Sequence, residues 1–175
     1  MKVFIGLSTS IRVNPKYYEL AKNVGAFLTD LNYNLICGAA ELGMAKIIED
    51  IFYQKTALSL FIHKKYGDEI KDNKINYTLC DSNFERLSKI YQESDLYIIL
   101  PGGIGTLSEF FGIWEEIRDT NKKIILFNHD SYYNDLIKYL EEKTKENFIK
   151  KENHENLIVV KNFEEFKKEV IAYGK

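Results

Sequence analysis

Short, unbroken apolar runs alternate along this chain with longer segments in which apolar residues return every three or four positions. The runs "KVFIGLS" (2–8), "YNLICG" (33–38), "ALSLFIH" (57–63), "DLYIIL" (95–100), "KKIILFN" (122–128) and "NLIVV" (156–160) read as buried strands, with "INYTLC" (75–80) as a shorter one. The segment 14–32 reads as a helix, because Tyr18, Ala21, Val24, Phe27 and Leu28 recur at three- and four-residue steps. The segments 42–54, 82–94, 131–146 and 162–174 read the same way, and another helix follows from Thr106. The charged stretch "KKYGDEIKDNK" (64–74) has no period and reads as a loop or lid. Strands made of continuous apolar residues, with helices between them, predict a parallel sheet covered on both faces. Right-handed crossovers place it in the α/β class, as a Rossmann-like, doubly wound, mostly parallel sheet with helices on both faces, forming a single domain over 1–175.

In such sheets ligands bind beyond the carboxyl ends of the strands, where the strand order reverses. In the common six-strand order that crevice lies between the loops after the first and fourth strands, here "GLSTS" (6–10) and "PGGIGT" (101–106). Both loops combine glycine with hydroxyl residues, which suits an anion. With 24 Lys and Arg against 26 Asp and Glu, the formal charge of −2 argues against a large basic surface for nucleic acid. No apolar run approaches the roughly 18 residues of a membrane-spanning helix. The start "MKVFIGLSTS" lacks the features of a signal peptide. The expectation is a soluble, cytoplasmic protein with neither nucleic acid nor a membrane as partner. Cys37 and Cys80 form no metal-ligand spacing, so both read as reduced thiols, with Cys37 in the core.

The candidate chemistry is concentrated in "LPGGIGTLSEF" (100–110). A glycine-rich turn entering a helix aims unpaired N–H groups outward, and the helix N-terminus adds about half a positive charge. Phosphate is the natural guest, with Gly102, Gly103, Gly105 and Thr106 as donors. Thr106 and Glu109 also match the Thr-x-x-Glu capping box, so the pattern leaves open whether Glu109 caps the helix or does chemistry. Neither the nucleoside triphosphatase loop nor the G-x-G-x-x-G dinucleotide fingerprint is present. Arg86, in "SNFERLSK", precedes Pro101 by 15 residues. It opens a helix at the carboxyl edge of the sheet, where an arginine can clamp phosphate or a ribose hydroxyl.

The stretch "NFERLSKIYQESDLYIILPGGIGTLSEFF" resembles the LONELY GUY family of cytokinin riboside 5′-monophosphate phosphoribohydrolases, whose mark is an arginine followed by PGGxGTxxE. The likeness extends to the first strand, loop and helix, and to "IILFNHDSYYNDLIKYLEEKTKENFI". It implies hydrolysis of the N-glycosidic bond of a nucleoside 5′-monophosphate, of the AMP or cytokinin riboside monophosphate type, to free base and ribose 5-phosphate. It further implies catalytic Glu109 and Arg86, substrate binding by Gly102, Gly103, Gly105, Thr106, Gly6, Ser8 and Met44, no metal or other cofactor, and a homodimer. A carboxylate in the first turn of a helix should stay ionised, which suits a stabiliser of positive charge on the sugar or a water-orienting base. The chain departs from the family in "CGAAELGMA" (37–45), where two alanines stand at expected glycines, and in "GLSTS", Phe84 and Leu87. The alternative is a non-catalytic nucleotide or molybdenum cofactor binder sharing PGGxGT.

Overall fold

The computed structural model describes residues 1–38, 42–64 and 76–174. Seven parallel strands form one sheet: β1 (Lys2–Gly6), β2 (Asn34–Cys37), β3 (Leu58–His63), β4 (Asn76–Cys80), β5 (Leu96–Ile99), β6 (Lys123–Phe127) and β7 (Leu157–Val160). Their order is β4-β3-β2-β1-β5-β6-β7. Among the described residues five α-helices lie between strands, α1 (Pro15–Asp30), α2 (Gly43–Lys55), α3 (Asn83–Glu93), α4 (Ile104–Ile117) and α5 (Asn134–Lys145), and α6 (Phe163–Tyr173) follows β7. The short run at 75–80 is thus a full edge strand, making the sheet one strand wider than the six-strand order. The lid expected at 64–74 lies outside the described residues, apart from Lys64.

Strand residues alternate between two cores, as a pleated strand buried on both faces requires. Val3, Ile5, Leu35, Cys37, Leu96 and Ile98 face α1, α2 and α6, which contribute Val24, Ile48 and Phe166. Phe4, Ile36, Tyr97 and Ile99 face α3, α4 and α5, with Ile90, Phe110, Trp114 and Leu140. Trp114 and Phe110 are buried, as core packing anticipates, whereas Phe111 is exposed. Among the described residues, no helix is long and apolar enough to cross a membrane.

Local chemistry sets the helix starts. Asn14 caps α1 by accepting from Lys16 N at 3.1 Å, ahead of Pro15 at a position where the missing N–H costs nothing. At α3, Ser82 Oγ accepts from Glu85 N (3.1 Å) while Glu85 Oε2 accepts from Asp81 N (2.7 Å), a reciprocal arrangement of the capping-box type. The far end of α4 depends on a distant residue. Buried Asn156 donates from Nδ2 to the carbonyls of Ile117, Thr120 and Lys122 at 3.0, 2.8 and 2.7 Å. Asn156→Ala strands these acceptors and should cost about 2–3 kcal/mol. A thermal melt should then fall by roughly 5–10 °C for a chain of this length.

Candidate active site at the carboxyl edge of the sheet

The strand order reverses at β1, which pairs in parallel with β2 on one side and β5 on the other. The loops after β1 and β5, "GLSTS" and "PGGIGT", are therefore neighbours at the carboxyl edge of the sheet.

The glycine loop is built differently from a positive-φ turn. Among the described glycines only Gly43 has positive φ (65°). Gly102 is needed for close packing, since a Cβ there would stand 2.6 Å from Cβ of the buried Thr106. A Cβ at Gly103 or Gly105 would meet nothing within 4 Å, so the surface above the loop is open. Helix α4 begins at Ile104, two residues before the expected start, with Gly103 as its N-cap and no side-chain cap. The N–H groups of Ile104, Gly105 and Thr106 thus occupy the first three helical positions, which have no partner within the helix. Two tyrosines after β6 fix the loop from behind: Tyr132 Oη donates to Gly102 O at 3.0 Å and Tyr133 Oη to Leu100 O at 2.8 Å.

This helix start overturns the capping-box reading of Thr106 and Glu109. Thr106 is the third helical residue and packs over Gly102 instead of capping. Glu109 lies in the second turn, past the reach of the helix-end field. Its Oε1 accepts from Arg86 Nη2 at 2.7 Å, joining α4 to the first turn of α3. The side chains of Arg86 and Glu109 are only 18% and 15% exposed, so water screens the pair weakly. Burial pushes the Glu109 carboxyl above its ordinary range, and the Arg86 charge and hydrogen bond pull it back without cancelling the rise. Ionisation of Glu109 therefore depends on Arg86, not on the helix dipole.

Two strand-end glycines make room for the pair. A Cβ on Gly6 would lie 3.3 Å from Glu109 Oε2, and one on Gly38 would lie 2.6 Å from Arg86 Nη1. Arg86 Nη1 is buried and has no hydrogen-bond partner among the described residues. An arginine nitrogen in that state is an unspent donor facing a site that wants an acceptor.

Arg86 and Glu109 line a cavity of about 180 Å³ at the ends of β1, β2 and β3. Its wall also holds Cys37, Glu49, His63 and Asn83, none of which the sequence reading placed in a site. A signal for Glu49 existed: it stands one residue past Ile48 and four past Ala45, a carboxylate at the margin of the buried stripe of α2. Cys37 is buried as expected and donates from Sγ to Glu49 Oε1 at 3.5 Å. Burial, reinforced by the Glu49 charge, pushes its thiol well up, so it remains a donor and not a nucleophile. Gly6 lies beneath Glu109, whereas Ser8 accepts from Ser10 N at 3.1 Å through its hydroxyl and from Met44 N at 3.2 Å through its carbonyl. The Met44 side chain is not brought to the cavity, because it is fully buried in the core between α2 and the sheet. The altered positions Ala39 and Ala40 lie outside the described residues.

Comparison with known proteins gives a consistent picture. The family model described as "Possible lysine decarboxylase" matches residues 44–170. A probable cytokinin riboside 5′-monophosphate phosphoribohydrolase of Oryza sativa subsp. japonica, LOGL6, is 25% identical over 98% of this chain and 70% of its own. The cytokinin riboside 5′-monophosphate phosphoribohydrolase of Rhodococcoides fascians is 25% identical over 85% of this chain and 78% of its own. Among solved structures, the molybdenum cofactor binding protein of Rippkaea orientalis aligns with a TM-score of 0.73 over 99% of this chain and 97% of its own, at 14% identity, a likeness of fold alone.

Proposed function

Because this chain belongs to the LONELY GUY family, we propose that it hydrolyses the N-glycosidic bond of a nucleoside 5′-monophosphate, releasing free base and ribose 5-phosphate. The observation that carries the reading is the buried Arg86–Glu109 pair at the switch point of the sheet, beside an open glycine loop. The phosphate seats on the N–H groups opening α4, which places binding energy away from the reacting carbon and holds the sugar in register. As the bond to the base stretches, positive charge builds on the ribose, and the fixed Glu109 carboxylate lowers that barrier. Water adds to the anomeric carbon, and the bonding electrons leave with the base, which takes up a proton. Arg86 keeps Glu109 ionised and offers its unspent Nη1 to a ribose or phosphate oxygen.

The deciding experiment incubates the protein with AMP and other nucleoside 5′-monophosphates and measures free base and ribose 5-phosphate. Release is expected. Tight nucleotide binding with no base from any monophosphate would refute hydrolysis and favour a non-catalytic carrier.

The protein works as a cytoplasmic homodimer on this reading, with α3 and α4 as the contact surface. These helices carry the exposed apolar residues Phe84, Ile104 and Phe111 beside the site. Light scattering behind size exclusion should give twice the chain mass, and Ile104→Asp should return the chain to a monomer.

A further inference from the structure

The two tyrosines behind the glycine loop hold peptides of different kinds. Tyr132 Oη donates to Gly102 O at 3.0 Å and Tyr133 Oη to Leu100 O at 2.8 Å. In a planar trans peptide the C=O and the N–H point in opposite directions. The carbonyl of Gly102 shares its peptide with the N–H of Gly103, whereas the carbonyl of Leu100 shares its peptide with Pro101, which has no N–H. Holding Gly102 O therefore aims a donor, and holding Leu100 O aims none. Tyr132 follows β6, and β5 lies between β6 and β1. A carbonyl turned toward β6 sends the N–H of Gly103 toward β1, the side on which Gly6 and Glu109 stand. That N–H has no hydrogen-bond partner among the described residues. It adjoins the open N–H groups of Ile104, Gly105 and Thr106, and the space around the position of a Cβ on Gly103 is clear.

The backbone is strained to bring Tyr132 there. The two residues before it, Asp130 and Ser131, both take left-handed conformations, with φ of 48° and 62°, a region that side chains other than glycine occupy at a cost. The Tyr132 ring stands edge-on to Tyr17 of α1, with centroids 5.7 Å apart, and to Tyr133, 4.8 Å apart. The ion pair of Lys16 with Asp130, at 2.9 Å, ties the same turn to the start of α1. Tyr132 remains 44% exposed, so burial of the ring does not by itself account for a strained turn that presents its hydroxyl. We propose that Tyr132 is a positioning residue for the ligand phosphate: its hydroxyl locks the Gly102–Gly103 peptide so that Gly103 N–H joins the N–H groups opening α4 as a fourth phosphate donor. The inference rests on the nucleoside monophosphate reading of the site. Without this bond the peptide is free to rotate, and rotation brings the Gly102 carbonyl oxygen toward the phosphate, where it repels. With the bond, the donor is fixed before the ligand arrives, so binding does not have to order it.

The test measures dissociation constants for AMP, GMP, CMP and UMP and for their nucleosides, with kcat and KM for base release, in the wild type, Tyr132→Phe and Tyr133→Phe. Phenylalanine at 132 keeps the ring against Tyr17 and removes only the hydroxyl. Tyr132→Phe should weaken the monophosphates about tenfold or more, the loss of one hydrogen bond to a charged group, and leave the nucleosides within about twofold. KM should rise by a similar factor while kcat changes far less, because the phosphate is held alike in the ground and transition states. Tyr133→Phe strands the buried Leu100 carbonyl, so it should lower the melting temperature yet keep the wild-type ratio of monophosphate to nucleoside affinity. An unchanged ratio in Tyr132→Phe would overturn the lock and leave the hydrolase reading standing, and so would an equal fall of the ratio in both variants. A wild type that prefers monophosphates but releases no base would refute hydrolysis, and the ratio in Tyr132→Phe would still decide the lock. A wild type that binds nucleosides as tightly as monophosphates would overturn both.

Discussion

Glu109→Gln should lower base release about 10²–10³-fold while leaving nucleotide affinity within a few-fold of the wild type. Glutamine keeps the shape of glutamate and can still accept from Arg86 Nη2, so the 2.7 Å contact and the fold survive. What disappears is the negative charge opposite the developing sugar cation, an interaction made mainly in the transition state. The wild-type pH profile carries an independent signature. Burial holds the Glu109 carboxyl above the ordinary glutamate range against the pull of Arg86. As pH falls through that raised value the carboxylate gains a proton, so kcat/KM should decline toward acid with a midpoint above an unperturbed glutamate. The decline should vanish from the residual activity of Glu109→Gln. A variant that retains full base release would remove Glu109 from the mechanism.

Gly38→Ala should cost about a hundredfold in base release with little loss of stability. The added Cβ would stand 2.6 Å from Arg86 Nη1 and 3.2 Å from Arg86 Cζ, so the guanidinium must move. Among the described residues nothing else is that close: the next atom, Phe61 O, is 3.6 Å away. Gly38 does not have positive φ, so alanine brings no backbone strain there. The fold yields cheaply because the obstructing atom ends a flexible side chain. Catalysis does not, because displacing a positioned group by about 1 Å can cost on the order of 10²-fold. A melting temperature within a few degrees of the wild type, alongside collapsed kcat/KM, is the expected pair of results. Unchanged kinetics would mean that Arg86 works from another position.

The strands and the switch-point loops were legible because they depend on features one residue run displays by itself. Apolar runs such as "DLYIIL" can only be buried on both faces, and glycine with hydroxyl residues at two loop positions marks the crevice. Helix starts were less legible, since one short pattern has two outcomes. Ser82–Glu85 and Thr106–Glu109 both read [Ser/Thr]-x-x-Glu. The first caps its helix, whereas at the second Gly103 takes the cap and frees Glu109 for Arg86. Only the partner, 23 positions away in sequence, separates the two cases. For Met44 the place after the β2 loop suggested ligand contact, whereas the structure turns its side chain into the core. The signal for Glu49 was too weak to mark a site residue, because a charge at the margin of an amphipathic helix usually faces solvent, and only the packing of α2 against the sheet turns it toward the cavity.

The register of the sheet centre has a consequence for how the protein comes into being. Val3 pairs with Leu96, and the chain between them must first lay down β2, β3 and β4 on the far side of β1. The site then takes Gly6 from the start of this long excursion, Gly38 from within it, and Arg86 and Glu109 from its end or beyond. Closing so large a loop gives back its entropy only when β5 docks, which makes this the late and slow event of folding. A nascent chain that stops short of α4 has a nearly finished half-sheet and no carboxylate to act with. On the proposed function, nucleotides would therefore meet no partly competent enzyme during synthesis: activity would arrive together with the β1–β5 pairing, or not at all.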